Sequence, residues 1–365
     1  MIAKGLEGVT AAETGISHID GAKGHLVYRG QWAKDLALHH TFEEAAYLLW
    51  HGTLPTPDQL AELHEDLVQQ RRLTPELRRL LDALPRSTPL MSALQCAVSS
   101  LAGDESAWPP TRWQALQLTA LLPVITAYRY HQLSGTPWDE ENHGEMGHAA
   151  HYLFLLFGRP ATPAQIRAMN AYMVLAMEHG LNASTFAARV VASTESDIYS
   201  AVGAAIGAMK GPLHGGAPTG VIRLLDAIGA PDQAEPVLRA MLERGERLMG
   251  FGHRVYKTRD PRAEALRDVC AGLAGGDPWL DLAVHTERTA IRLLAEYKPG
   301  RELYTNVEFY AAAVMRAAGM PASLFTPTFT AARIVGWTAH VLEQAAGNRI
   351  YRPQSLYTGV MPSAT

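Results

Sequence analysis

From Thr41 onward this chain carries one repeating signal: apolar residues at helical spacing, opened by capping residues and closed by glycines. Thr41 with Glu44 forms a capping-box pattern, and Ala45, Leu48 and Leu49 supply an apolar face behind it. Thr162-Pro163 opens another helix, in which Ile166, Met169, Met173, Val174 and Met177 recur at helical spacing up to a stop at Gly180. A methionine stripe of this kind is core packing rather than a cofactor box. Later helices are predicted over residues 261–273, 281–297, 306–318 and 328–346, with Gly319 and Gly347 at the C-terminal stops. Strand-like alternation is confined to residues 18–29, where Gly21 and Gly24 separate short apolar pairs and a small hairpin or two fits. Such a pattern specifies an all-α protein with short connections and a minor β-hairpin near the N-terminus.

Residues 195–210 are rich in small side chains, among them Ala201, Gly203, Ala204, Ala205, Gly207 and Ala208. Each glycine costs about 1 kcal/mol of helix propensity relative to alanine. Close helix-on-helix approach is expected to compensate, with a dimer interface as one place for it.

Composition removes several classes of function. At 365 residues, 47% hydrophobic and 19% charged, the chain has material for one large or two modest domains with a sizeable core. A formal charge of −4 gives no reason to expect a nucleic-acid or membrane partner, so any basic site must be local. Two cysteines, Cys96 and Cys270, make no disulfide framework and fit a reducing compartment. The N-terminus shows no charged-then-apolar leader pattern. The most apolar stretches, residues 115–127 and 152–157, fall short of the roughly 20 residues that span a bilayer. A cytoplasmic location is the expectation.

The chemistry concentrates at residues 250–262, Gly-Phe-Gly-His-Arg-Val-Tyr-Lys-Thr-Arg-Asp-Pro-Arg. Glycines let backbone amides approach a ligand, and Asp260-Pro261 opens a helix whose amino end favours negative charge. An anion site beside a proton-handling imidazole is the reading. Fifteen histidines also invite a metal hypothesis, centred on His143, Glu145, His148 and His151. No cysteine, His-Glu-x-x-His pattern or paired carboxylate accompanies them. They read as a solvated polar face, and no metal is assigned. Three other histidines sit beside glycine at helix ends: His179, His214 and His253. A helix amino terminus disfavours the imidazolium at His214 and leaves a neutral donor, whereas a carboxyl terminus favours protonation near His179. Arg262, Arg333 and Arg352 could each be surface charges; together they could clamp a dicarboxylate.

These blocks resemble the citrate synthase family over nearly the whole chain. The resemblance starts at Gly15-Ile16-Ser17, Ile19-Asp20-Gly21 and Tyr28-Arg29-Gly30. It continues through Asn182-Ala183-Ser184-Thr185, Gly211-Pro212-Leu213-His214-Gly215-Gly216-Ala217 and every defined position of residues 250–262. Leu303-Tyr304, Asn306-Val307, Arg333 and Gly336-Trp337 follow in order. The resemblance implies a two-domain helical fold of the short bacterial or archaeal dimeric type. A large domain would comprise residues 1–212 and 318–365, and a small domain residues 213–317. It further implies acyl transfer, condensing acetyl-CoA with oxaloacetate and water to give citrate and CoA. His214 would polarise the thioester carbonyl, a carboxylate at position 308 would remove a methyl proton, and His253 would polarise the ketone. His179, Arg262, Arg333 and Arg352 match dicarboxylate-binding positions, with Arg352 reaching the partner subunit's site. Lys210, Gly250, Gly252, Arg254, Val255, Tyr256 and Lys257 match the region that cradles CoA. CoA enters as a substrate, and no cofactor is implied. The short N-terminal region implies no NADH site.

Four positions depart from the family's usual pattern. Glu308 replaces aspartate, and the extra methylene moves the carboxylate by about a bond length, which near-attack geometry tolerates poorly. Thr305 with Glu308 also makes a Thr-x-x-Glu capping box, which would direct the glutamate back to its own helix start. Pro218-Thr219 and Glu178 stand where Asn-Glu and Asp are commoner. Such changes leave open 2-methylcitrate synthase acting on propionyl-CoA, a citryl-CoA lyase, and a non-catalytic paralogue that binds CoA or dicarboxylate.

Overall fold

The structure is a computed structural model describing residues 3–103, 108–138, 145–215, 217–253, 255–271, 278–301 and 303–362. Ahead of the helices lies a three-stranded antiparallel sheet, β1 (Ser17–Asp20), β2 (His25–Tyr28) and β3 (Gln31–Trp32), in that spatial order. Ser17 pairs with Tyr28 and Asp20 with His25. Asp20 closes the turn by accepting the amides of Ala22 and Lys23. This register turns Leu26 and Tyr28 inward. The Tyr28 hydroxyl donates to the Glu178 carbonyl at 2.7 Å, pinning the sheet to the segment that carries His179.

Sixteen α-helices follow among the described residues. Four begin on capping boxes, Thr41/Glu44, Thr56/Gln59, Thr111/Gln114 and Thr162/Gln165, each satisfying two otherwise orphaned amides. Three predicted helices appear as Pro261–Ala271, Pro278–Tyr297 and Val307–Ala317. The last begins earlier than predicted, as Phe325–Ala346, directly after the 3-10 turn Ala322–Leu324. Pro327 falls in its first turn, where the missing N–H breaks no helical bond. This helix runs through the core with Trp337 fully buried. It packs against Arg112–Ser134, Pro163–Ala176, Ala183–Ala192 and Ile198–Met209.

The small residues of Ile198–Met209 find their neighbour inside the chain. A Cβ on Gly203 would lie 2.8 Å from Ser99 Oγ, and one on Gly207 would lie 2.9 Å from Gln95 Nε2. Both partners belong to the helix Leu90–Ser99. Lost helix propensity is thus traded for backbone proximity.

The solvated face expected around residues 143–151 is corrected. His148 and His151 are each only 1% exposed. Their helix, His148–Phe157, is apolar on nearly every side, so its histidines are drawn in with it. His148 stacks on Phe42 with ring centroids 4.2 Å apart, and burial holds its ring well below the usual imidazole range. His143 lies outside the described residues. Cys96 and Cys270 are free thiols. No described helix is long and apolar enough to cross a membrane.

Candidate active site

The loop at residues 250–262 and the start of the Val307–Ala317 helix are stitched into one unit. Gly252 N–H donates to Tyr304 O at 2.7 Å, and Asn306 N–H donates to Gly250 O at 2.9 Å. Asn306 Nδ2 donates to Gly252 O, and Val307 N–H donates to Asp260 Oδ2 at 3.1 Å. Gly250 and Gly252 adopt φ of 87° and 79°, a region that L side chains rarely visit. The turn of the β1–β2 hairpin closes over the same loop, where Gly21 O accepts from Lys257 N–H at 2.8 Å. The start of the Glu308 helix, distant in sequence, is therefore tied to the loop that carries His253.

Asp260 organises the anion-binding side. Its carboxylate caps the Pro261–Ala271 helix at Arg262 N–H and grips the Arg262 guanidinium at Nε (3.0 Å) and Nη2 (2.8 Å). Burial alone would lower the Arg262 pKa, but Asp260, with Tyr256 and Glu308, outweighs it and raises the pKa further above the ordinary value. Nη1 is committed to no described residue. His253 accepts two amide protons at Nδ1, from Val255 and Tyr256, both at 3.1 Å. The neutral ring must then carry its proton on Nε2, 3.3 Å from Arg262 Nη2. Two donors thus converge on one point, an arrangement suited to a shared oxygen acceptor. Burial and then Arg262 lower His253 to about 4.

His179 completes this side. Its ring lies 5.5 Å from that of His253, and its Nε2 meets Tyr256 Oη at 3.2 Å. The expected protonation of His179 is corrected. Burial, followed by Arg262, Arg333 and His253, drives its pKa well below the usual value. Burial and two guanidinium groups together outweigh the carboxyl end of a helix.

Arg333 is 1% exposed; its Nε donates to Ala176 O at 2.6 Å, and its guanidinium lies 4.8 Å from the Phe329 ring centre. Its terminal nitrogens donate to no described residue. The fully buried Glu178 lies nearby, with Oε1 accepting from Ser17 Oγ, Gly180 N and His340 Nε2. Burial raises Glu178, yet His340, Arg333 and Ser17 together hold it below its ordinary value. His340 Nδ1 in turn accepts from Arg189 Nε at 2.9 Å, and Arg189 pairs with Glu343.

His214 and Glu308 form the opposite side. His214 lies in the turn before the Ala217–Ile228 helix rather than within it. Burial first and Arg333 second bring it to about 4, so its neutrality has these causes. His214 Nε2 lies 2.8 Å from Ser184 Oγ, which also receives the Trp337 indole N–H at 3.0 Å and faces Asn182 Oδ1 at 2.8 Å. Ser184 has one proton for two acceptors. Directed at Asn182, it makes His214 Nε2 the donor; turned to His214, it places the ring proton on Nδ1. Ser184 and Trp337 stand within the motifs noted above, but only the fold reveals this contact.

The capping role considered for Glu308 is corrected. Thr305 spends its hydroxyl on Glu287 Oε1 at 2.6 Å, and Asn306 is the N-cap, its side chain accepting from Glu308 N–H. Glu308 is therefore second in the helix and cannot close a box from the third position. Its Oε2 is buried with no hydrogen-bond partner. Burial raises its pKa, although Arg262 partly opposes the shift. Glu308, His214 and Arg262 line one small cavity together with Tyr172, Ala176 and Phe329.

A groove of about 1170 Å³ adjoins His253. Gly252, Tyr256 and Lys257 line it, as do three cations that the sequence reading missed, Arg247, Lys298 and Arg301. All three stand outside the recognised motif, and only folding brings Arg247 to the groove that Lys298 and Arg301 line. Gly250 is not among the residues lining the groove and packs against Phe309. Val255 turns its carbonyl toward Gly21 rather than into the groove. Lys210 is not brought there either; its Nζ donates to Gln95 Oε1 at 3.2 Å. Arg352 is exposed in the C-terminal tail. Arg254 lies outside the described residues.

The family "Citrate synthase, C-terminal domain" matches residues 5–354. The chain belongs to the citrate synthase family. It is 41% identical to the citrate synthase of Mycolicibacterium smegmatis, covering 98% of this chain and 95% of that protein. It is 39% identical to a 2-methylcitrate synthase of Mycobacterium tuberculosis, covering 98% and 91%. The citrate synthase of Thermoplasma acidophilum, solved as a ternary complex with carboxymethyl coenzyme A and oxaloacetate, superimposes with a TM-score of 0.88 at 31% identity, covering 100% and 98%. Membership in this family of enzymes agrees with the helical fold expected from the sequence.

The site's histidines make a pH prediction. His214 and His253 fall from 6.5 to about 4 on folding, so both stay neutral across the physiological range. A depressed imidazole pKa contributes stability above 6.5, and that contribution is lost as pH falls through 4. Imidazole NMR signals of both residues should hold steady from pH 8 to 5.5 while stability begins to decline below 6.5. A titration midpoint near 6.5 for either ring would contradict this.

Proposed function

We propose that this chain condenses acetyl-CoA with oxaloacetate and water to give citrate and CoA. The observation that carries this reading is a Glu308 carboxylate whose buried Oε2 has no partner, lining one cavity with a neutral His214. The α-hydrogen of a thioester is a weak acid, so its removal requires a base and a donor at the carbonyl oxygen together. Glu308 would take the proton, while a neutral His214 would hold the developing enolate oxygen, donating from Nδ1 when Ser184 turns its proton from Asn182 to His214 Nε2. The α-carbon then attacks the oxaloacetate ketone, whose oxygen takes a proton from His253 Nε2. Water adds to the resulting citryl thioester, and CoA leaves as the thiol.

The free guanidinium nitrogens of Arg262 and Arg333, with His179, would hold the carboxylates of oxaloacetate. Arg247, Lys257, Lys298 and Arg301 give the adjoining groove the charge that CoA phosphates require. CoA serves as the acyl carrier, and we assign no separate cofactor. We further assign a large domain (1–212 and 318–365), a small domain (213–317) that closes over oxaloacetate, and a cytoplasmic homodimer in which Arg352 reaches the partner's site. Closure would exclude water until the base is assembled.

The 39% identity to a 2-methylcitrate synthase supports a second reading, with propionyl-CoA as acyl donor. A thiol-release assay with oxaloacetate and each acyl-CoA tests both. Oxaloacetate binding by calorimetry without thiol release from either would instead support a non-catalytic binding protein.

A further inference from the structure

The geometry points to side-chain length at position 308 as the acyl-size filter: the extra methylene of Glu308 occupies the room a third acyl carbon would need. This inference rests on the condensation reading above. The cavity shared by Glu308 and His214 has a volume of only about 20 Å³. About 10–15 Å³ measured this way accommodates one water, so the space admits a methyl-sized group and little more.

Its walls leave no slack. Tyr172 and Ala176 stand one turn apart on the Pro163–Ala176 helix, 2% and 4% exposed. Ala311, three residues after Glu308 on the same helix, is 2% exposed and is already a minimal side chain. Phe329 lies under the Arg333 guanidinium, itself tied to Ala176 O. The flexible member of the lining is Glu308, whose Oε2 has no hydrogen bond to hold it. An aspartate here would withdraw the carboxylate toward the Val307–Ala317 helix by one methylene. The volume released lies beside His214, where the acyl chain must pass if its carbonyl faces that ring and its α-carbon faces the base. The substrate and the base thus compete for the same methylene. The residue that departs from the family's usual aspartate would set which acyl chain is accepted.

The test is kcat/KM for acetyl-CoA and propionyl-CoA by thiol release at saturating oxaloacetate, in the native protein, Glu308→Asp and Ala311→Gly. Discrimination of one methylene in an apolar pocket is roughly 10- to 200-fold. The native protein should favour acetyl-CoA by about tenfold or more. Glu308→Asp should lose rate with acetyl-CoA while its propionyl-to-acetyl ratio rises about tenfold or more. Ala311→Gly, which enlarges the same cavity with the base intact, decides the matter if Glu308→Asp turns over neither thioester; its ratio should rise as well. A native preference for propionyl-CoA, equal use of both, or an unchanged ratio in the deciding variant overturns the filter. Native protein that releases thiol from neither substrate defeats the condensation reading and the filter with it.

Discussion

Replacing Glu308 by glutamine should reduce condensation by about 10²- to 10⁴-fold, the usual contribution of a positioned general base, while the protein stays as stable as its parent. The two expectations share one cause. Glu308 is a carboxylate whose Oε2 has no partner in a buried setting, and burial raises its pKa. At low pH the group is protonated in both folded and unfolded chains and costs nothing. As pH rises past the ordinary value of 4.5, the unfolded chain releases the proton before the folded one does. Stability contributed by the protonated form is therefore lost as pH rises through the folded pKa. Glutamine is neutral and nearly the same shape, so it removes that penalty at pH 7 along with the base. The variant should unfold at an equal or higher denaturant midpoint and still bind oxaloacetate. Retained kcat would show that another group removes the proton. A clear loss of stability would show that the carboxylate has a structural partner.

The helices were legible because their determinants are local. Thr41 and Thr162 each announce a start through a side chain that bonds three residues ahead, and such contacts appear directly in the sequence. One boundary differs: the helix predicted from residue 328 begins at Phe325, with Pro327 inside its first turn. Local spacing reaches its limit at Thr305 and Glu308. Their spacing satisfies a capping box, but Thr305 is drawn to Glu287, a residue on another helix. His148 and His151 were misplaced for a related reason. Side-chain polarity argues for solvent, whereas the apolar residues flanking them on every side of the helix decide the outcome.

At the site, the sequence supplied the chemistry-bearing residues but not the contacts that tune them. The neutrality of His214 was anticipated from a helix start; its causes are burial and Arg333, which approaches from the other end of the chain. The groove cations Arg247, Lys298 and Arg301 have no pattern of their own and lie on two separate stretches. Long-range neighbours of this kind follow from topology, and a linear motif records only the half that is contiguous.

Asp260→Ala should be the most destabilising single change in the site, costing about 3–5 kcal/mol, the typical result of stripping one partner from a buried ion pair. Asp260 is 1% exposed and Arg262 4%. The carboxylate accepts from Arg262 at Nε, Nη2 and the backbone amide, and also from Val307 N–H. Its loss leaves a buried guanidinium uncompensated and frees the start of the Glu308 helix from the loop of His253. These contacts share one centre, so their separate costs do not add. Denaturant unfolding measures the total, and a change below about 1 kcal/mol, typical of an exposed pair, would contradict the assignment. Asp260→Asn separates charge from hydrogen bonding, because its amide oxygen can still accept one of these donors; it should fall between the parent and Asp260→Ala. The sharper comparison is the double variant Asp260→Ala, Arg262→Met. Removing both partners of a buried pair is often neutral, so the second change should recover much of the lost stability. Condensation should not return with it, since Arg262 is also the guanidinium assigned to oxaloacetate. Stability regained without activity would show that Asp260 holds in place a cation whose use lies in the substrate.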